Sequence, residues 1–399
     1  MTTLSPAAAK RNVFILAVCM ALANSATTLQ VTLGGLVGFL LVEDKALATL
    51  PVTFVVAGTA CATIPASMLM RRIGRQLGFM SGCLFGAAGS LLAALGVYQS
   101  HFWLFCLGAF IFGASAAFTQ LYRFAAADIS PQEMKSRAIS WVMVGGLVAA
   151  FVGPEIAKHT REILSPYLFL GSYLAAAALA LAVIPILALT RLPRPTVAEL
   201  REPGRPLSEI VRQPAFLVAA MAGMFGYGVM NLLMTATPLA MQICEHPFAA
   251  AATVIQWHVF GMYFPSFFTG RLITRFGTLR IILLGVALNV VCVAVALSGV
   301  EVLNFQAALL LLGVGWNFMY IGGTALLTEV YRPAERNKTQ ALNDFLVFGT
   351  VALASLGSGK LLYHWGWNLV PISALPFVLM VGLAAVWLML QRRRTAIPA

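Results

Sequence analysis

Apolar residues run along this chain in stretches of roughly 20 or more, separated by short polar turns, and they do not alternate with polar residues. Twelve such stretches fit, near residues 13 to 41, 47 to 70, 77 to 99, 102 to 127, 137 to 157, 166 to 190, 214 to 242, 248 to 272, 278 to 300, 303 to 328, 340 to 363 and 366 to 391. Lipid offers no partner to an unpaired backbone amide, so a continuous apolar run closes its hydrogen bonds within an α-helix, whereas a barrel strand alternates with period two. The pattern predicts an all-α membrane protein with twelve spans. Lys10, Arg11 and the later Ala21-Leu22-Ala23 imitate a secretion signal, but the first apolar run continues to about residue 41 and more spans follow.

The pattern also repeats. Ser67 to Arg75 (SMLMRRIGR) returns 203 residues later as Gly270 to Thr278 (GRLITRFGT), each time as a basic turn between apolar runs. At that offset Gly58 matches Gly261, Arg72 matches Arg275, Gly74 matches Gly277, Ala138 matches Ala341 and Gly146 matches Gly349. Between the copies lies the longest polar segment, Arg191 to Gln213, with Pro193, Pro195, Pro203 and Pro206. Such a segment buries too little surface to fold alone, although Leu207 to Val211 can form one turn of surface helix. The expected organisation is an N-terminal six-helix bundle (1–190), a linker (191–213) and a C-terminal six-helix bundle (214–399).

Composition agrees with this picture: 60% of residues are hydrophobic, 10% charged, and the mean hydropathy is +0.87, whereas a soluble globule carries about 25% charged residues. The net charge of +12 raises the question of nucleic acid. Threading twelve spans with both termini on one face puts every Lys and Arg there except Lys45, Lys158, Arg161 and Lys360. By the positive-inside rule that face is cytoplasmic, so the charge reports topology in a bacterial-type inner membrane and contact with anionic lipid, not nucleic-acid binding. Cys19, Cys61, Cys83, Cys106 and Cys292 fall inside spans and Cys244 near an outer loop, which is no disulfide or metal framework. No phosphate loop, metal cluster or nucleophile with a paired base is visible, so neither ATP-driven transport, enzymatic catalysis nor a cofactor is expected.

The basic turn carries a family likeness. It resembles the loop between helices 2 and 3 of the major facilitator superfamily, G-x-x-x-D-R-x-G-R-[RK], through Arg72, Gly74 and Arg75 and, in the second copy, Gly270, Arg275 and Gly277. Ser67, Arg71 and Gln76 depart from the motif, and Thr274 stands at the second acidic position. The resemblance implies two six-helix bundles related by pseudo-two-fold symmetry along the membrane normal, a monomer, and alternating access to a central site. It also implies cytoplasmic gates. Span 4 ends in Asp128, followed by Arg137, and span 10 ends in Glu329, followed by Arg336. The expected networks join Arg72 or Arg75 to Asp128 and Arg137, and Arg275 to Glu329 and Arg336, against the simpler reading of solvated loop charges. Because the family's loop carboxylate is Arg71 here, Asp344 in span 11 is expected as its partner, a salt bridge of reversed polarity.

Ionisable groups inside spans are costly unless they face protein or water, so they mark candidate chemistry. Asp344 is the first candidate for proton coupling, followed by Glu155, which also fits a membrane-boundary residue, and His258, which also fits hydrogen-bonded packing. Arg123 could hold an anionic or carbonyl-bearing substrate, or snorkel to the interface. In the resembled family spans 1, 4, 7 and 10 line the cavity. Their uncharged polar and aromatic residues here are Asn24, Thr28 and Gln30; Thr119 and Gln120 beside Arg123; Tyr227, Asn231 and Thr235; and Trp316, Asn317 and Tyr320. On sequence grounds each serves as well for helix packing as for ligand contact. Aromatic and amide groups together suit a small flat or amphipathic organic molecule, and the lack of acidic residues in these spans disfavours a polycation.

Gly145-Gly146 and Gly153-Pro154 in span 5 resemble the family's G-x-x-x-G-P motif, found chiefly in proton-exchanging exporters, with Ala149 in place of its first glycine. The first expectation is therefore proton-coupled export of a small neutral or anionic organic molecule. The alternative, resting on Arg123, is uptake of a vitamin-like or anionic metabolite by symport or facilitated diffusion. A different class, a transporter-like receptor or lipid scramblase, uses the same scaffold without concentrating anything.

Overall fold

In the computed structural model, residues 6–44, 47, 50–193 and 204–395 are described. Lys45, and with it one of the charges assigned to the outer face, lies outside them, as does most of the linker, 194–203. The described residues form helices and turns and no strand. Unbroken single helices are α1 (Pro6–Leu41), α2 (Leu50–Ile73), α3 (Arg75–Tyr98) and α8 (Leu170–Ala188) in the first half of the chain. Span 4 is α4 (Phe102–Gln120) followed after Leu121 by α5 (Tyr122–Asp128), and span 5 is α6 (Lys135–Met143) followed after Val144 by α7 (Gly145–Thr160).

The second half begins with the single surface turn expected in the linker, α9 (Leu207–Val211), whose Ile210 is buried. It continues with α10 (Pro214–Ile243), α11 (Phe248–Tyr263), α12 (Ser266–Phe276), α13 (Thr278–Leu297), α14 (Val302–Leu327), α15 (Arg336–Trp365) and α16 (Leu369–Thr395). Eleven of the twelve expected spans are helical passages long and apolar enough to cross a membrane as they stand. The eighth, expected as one helix over 248 to 272, is two shorter helices meeting at Phe264 and Pro265. Proline lacks the N–H that would bond the carbonyl of Gly261, and its ring crowds that carbonyl, which favours the break at Pro265, although Pro65, Pro154, Pro185, Pro238 and Pro376 are accommodated inside unbroken helices.

The repeated basic turn has the same backbone in both copies. Gly74 and Gly277 have φ of 88° and 89°, and each donates its N–H to a carbonyl four residues back, Met70 at 2.9 Å and Ile273 at 2.8 Å. A side chain at this left-handed φ is strained, which accounts for glycine at both positions.

By contacts the chain divides into two compact units. The first comprises Met1–Gln132, Trp141–Pro203 and Pro333–Phe348; the second comprises Glu133–Ser140, Gly204–Arg332 and Gly349–Ala399. The first turns of α15 thus belong to the first unit, and the start of span 5 to the second. In the first unit Leu29, Leu33, Val37, Phe105, Phe112 and Tyr173 make one buried core. There α2 crosses α4 so closely that a Cβ on Gly58 would run into the carbonyl of Phe110, and Thr59 Oγ1 donates to the Gly113 carbonyl at 3.0 Å. The second unit repeats the crossing between α11 and α14, where a Cβ on Gly313 would meet the backbone of His258 and Met262.

Candidate functional site

In the first unit the break at Leu121 sets Arg123 in the first turn of α5 with its side chain fully buried. Its Nη2 donates to Asp344 Oδ1 at 2.6 Å, and the two side chains are 0% and 1% exposed. Arg123 Nη1 bonds the Gln120 carbonyl at 2.8 Å and Gln120 Oε1 at 3.0 Å, its guanidinium carbon lies 4.5 Å from the centre of the Phe124 ring, and Asn343 Nδ2 donates to Asp344 Oδ1 at 3.0 Å. Asp344 Oδ2 has no hydrogen-bond partner. Two charges taken out of water cost more than a surface pair returns, so such a pair is poor evidence of stability and better evidence of a role. The partner expected for Asp344 is corrected here: Arg71 is exposed at the end of α2, whereas Asp344 is enclosed and bonded to Arg123. Helix spacing puts Gln120 and Arg123 on one face, and they touch.

Nearby in the same unit Arg75 Nη2 reaches Asp128 Oδ2 at 2.8 Å and Gln340 Oε1 at 2.7 Å, with Gln340 Nε2 3.4 Å from the same carboxylate. Ser67 Oγ donates to the Asn337 carbonyl at 2.7 Å, while Arg72 is exposed. Arg137 does not join them. It lies in the second unit, exposed, its backbone packed on Gly270, whose N–H donates to Ser140 Oγ at 2.9 Å. The second expected network is not formed: Glu329 pairs with Arg392 at 2.9 Å, Arg275 lies over the Phe276 ring at 5.3 Å, and Arg336 is buried in the first unit. Within the second unit those contacts replace the expected Arg275–Glu329 pair, while Arg336 lies on the turns of α15 that belong to the first unit.

Among the polar candidates of the first unit, Gln30 Nε2 donates to Ser90 Oγ at 3.1 Å and Thr119 Oγ1 to the Ser115 carbonyl at 3.2 Å, both buried. Asn24 and Thr28 are half-buried. In the second unit the rings gather. Trp316 stacks on Tyr320 with centroids 5.0 Å apart and planes 17° apart, Tyr227 meets both edge-on at 5.3 and 5.2 Å, and Tyr263 meets Trp316 edge-on at 5.7 Å. Trp316 Nε1 is buried without a hydrogen-bond partner. Asn231 Nδ2 donates to the Val351 carbonyl at 3.4 Å and Thr235 is half-buried.

Asn317, by contrast, is fully buried and bonded to the broken span 8. His258 is also buried, with Nδ1 2.7 Å from the Leu309 carbonyl, so it ties α11 to α14. Glu155 is exposed at the end of α7 and pairs with His159 at 3.6 Å. Tyr263 and Gln340 are site residues beyond those expected from the sequence. Pro265, inside an otherwise helical pattern, was the available signal for the first; nothing in the sequence marked the second.

The chain thus carries an enclosed ion pair between spans 4 and 11 and a ring cluster on spans 7, 8 and 10 among apolar helices long enough to cross a membrane, and its relatives make the class a membrane transporter. The sequence profile of the Major Facilitator Superfamily matches residues 13–256 and 244–398, and the chain belongs to that family. It is 46% identical over 376 residues to the riboflavin transporter RfnT of Brucella anthropi, covering 94% of both chains. It is 30% identical over 369 residues to the uncharacterized transporter YdeG of Bacillus subtilis, covering 88% of this chain and 85% of that one. Its fold matches the E. coli transporter FucP in the outward conformation, with a TM-score of 0.74 over 94% of this chain and 98% of that one at 16% identity. The human organic anion transporter MFSD10 matches equally, with a TM-score of 0.74 over 94% of this chain and 99% of that one at 14% identity.

Proposed function

We propose that this protein carries riboflavin, or another flavin-like tricyclic compound, into the cell across the inner membrane. The observation that carries the reading is its 46% identity with a riboflavin transporter along 94% of both chains. That relative supports uptake of a vitamin-like metabolite better than export, whose only basis is a span 5 motif lacking one glycine at Ala149. The ring cluster of Tyr227, Tyr263, Trp316 and Tyr320 suits a flat heteroaromatic ligand, since offset and edge-on ring contacts favour such a partner.

In this reading the halves 1–190 and 214–399 rock about the substrate, and both termini are cytoplasmic. The test is riboflavin uptake into proteoliposomes, with and without an inward pH gradient. Saturable uptake above that of protein-free vesicles is expected, with competition by unlabelled riboflavin. Uptake no faster than in empty vesicles sinks the proposal, and uptake indifferent to the gradient removes the proton.

A further inference from the structure

The break in span 8 is spliced by one side chain. Asn317 Nδ2 lies 2.6 Å from the Met262 carbonyl and 2.7 Å from Ser266 Oγ, and Thr269 Oγ1 donates to Asn317 Oδ1 at 2.7 Å. A continuous helix would satisfy the Met262 carbonyl with the N–H of Ser266; here the carboxamide of α14 stands in, holding α11 by one atom and α12 by two. All of these groups are buried.

The same bond brackets the ring cluster. Tyr263 follows Met262 in the chain, and Trp316 precedes Asn317, so the edge-on contact of the two rings sits one residue from each end of the Asn317–Met262 hydrogen bond. The first unit shows what the crossing looks like without this device. At the offset of 203, Ala62 stands where Pro265 is and Ala114 where Asn317 is. There α2 runs unbroken from Leu50 to Ile73, even past Pro65. The break at Pro265 and the asparagine that mends it therefore occur together, and in one half only. A fold that needed only helix packing is served by the plainer crossing of the first unit.

We infer that Asn317 is a positioning residue of the ring site, holding Tyr263 against Trp316 so that the Trp316 N–H faces an acceptor atom of a flat heteroaromatic ligand. The unpartnered indole nitrogen supports this, because a buried donor without a partner is expensive unless something supplies the acceptor. The inference rests on the flavin reading for the ligand's class.

The test compares riboflavin transport by the full-length protein in proteoliposomes with that of Asn317→Asp, Asn317→Ala and Thr269→Val. Thr59→Val serves as control, because it removes the inter-helix hydrogen bond at the equivalent crossing of the first unit. The Asn317 variants are expected to raise KM at least about tenfold with kcat within about threefold, and Thr269→Val, which leaves the asparagine in place, by an intermediate amount. Thr59→Val is expected to change the melting temperature alone. Unchanged KM in Thr269→Val and in whichever Asn317 variant folds overturns the inference, because a purely structural bond lowers the yield of folded protein without changing affinity. A second readout needs no substrate: the Trp316 emission, taken as the difference from Trp316→Phe, is expected to shift in Asn317→Asp, and an unshifted emission overturns the inference too. Wild-type vesicles that take up no riboflavin overturn the transport proposal and leave the emission test to decide this one.

Discussion

Arg123 and Asp344 are separated by 221 positions in the chain and by 2.6 Å in space. Each was visible in the sequence as an ionisable residue where lipid makes charge expensive, and neither showed its partner, because which helix faces which is not a local property. Removing one member of a buried pair leaves the other charge uncompensated, at roughly 3 to 5 kcal/mol, whereas replacing both with apolar residues of similar volume is close to neutral. Arg123→Met and Asp344→Leu are therefore expected to lower the melting temperature separately, and the double variant to regain most of the loss. Thermal unfolding in detergent reads this cycle, and strictly additive losses contradict it. The exchange Arg71→Asp with Asp344→Arg is expected to rescue nothing, since those side chains are not partners.

Among the elements, the apolar runs located the helix ends to within a few residues except at the start of span 1, where the helix begins at Pro6 and not near residue 13. Span 2, expected over 47 to 70, is Leu50–Ile73, and span 11, expected over 340 to 363, is Arg336–Trp365. The interruptions at Leu121 and Val144 were not legible, because hydropathy averages over a window and stays high across a one-residue break, whereas the one at Phe264 carried a signal, Pro265, that hydropathy does not weigh. Nor does repetition tell which glycines are needed. Gly58 and Gly349 both have glycine counterparts at the offset of 203, yet a Cβ on Gly58 runs into the Phe110 carbonyl and one on Gly349 meets nothing within 4 Å. Gly58→Ala is expected to destabilise by roughly 1 to 3 kcal/mol through overpacking, and Gly349→Ala to leave the melting temperature unchanged. Equal shifts in the two variants refute the packing account.

For the molecule as a whole, charge placement predicts orientation. Glu162, in the loop after α7 beside Lys158 and Arg161, is expected to be periplasmic, and Arg137, at the start of span 5, cytoplasmic. In a cysteine-free background, Glu162→Cys is expected to react with a membrane-impermeant maleimide applied to intact cells and Arg137→Cys only after lysis. Labelling of Arg137→Cys from outside reverses the topology.

The sequence by itself determined that this is a membrane protein of twelve helical spans, duplicated, and of the major facilitator kind. Those properties follow from the length of apolar runs, the distribution of charge and a turn whose glycines need a left-handed backbone, all of which act locally. Only the tertiary structure decided that Asp344 pairs with Arg123, that Glu329 turns to Arg392, that residues 333–348 pack with the first unit, and that Asn317 mends a broken helix beside a ring cluster. Those outcomes depend on which faces of distant helices meet, and helices that are apolar all round carry little local information about which face turns inward.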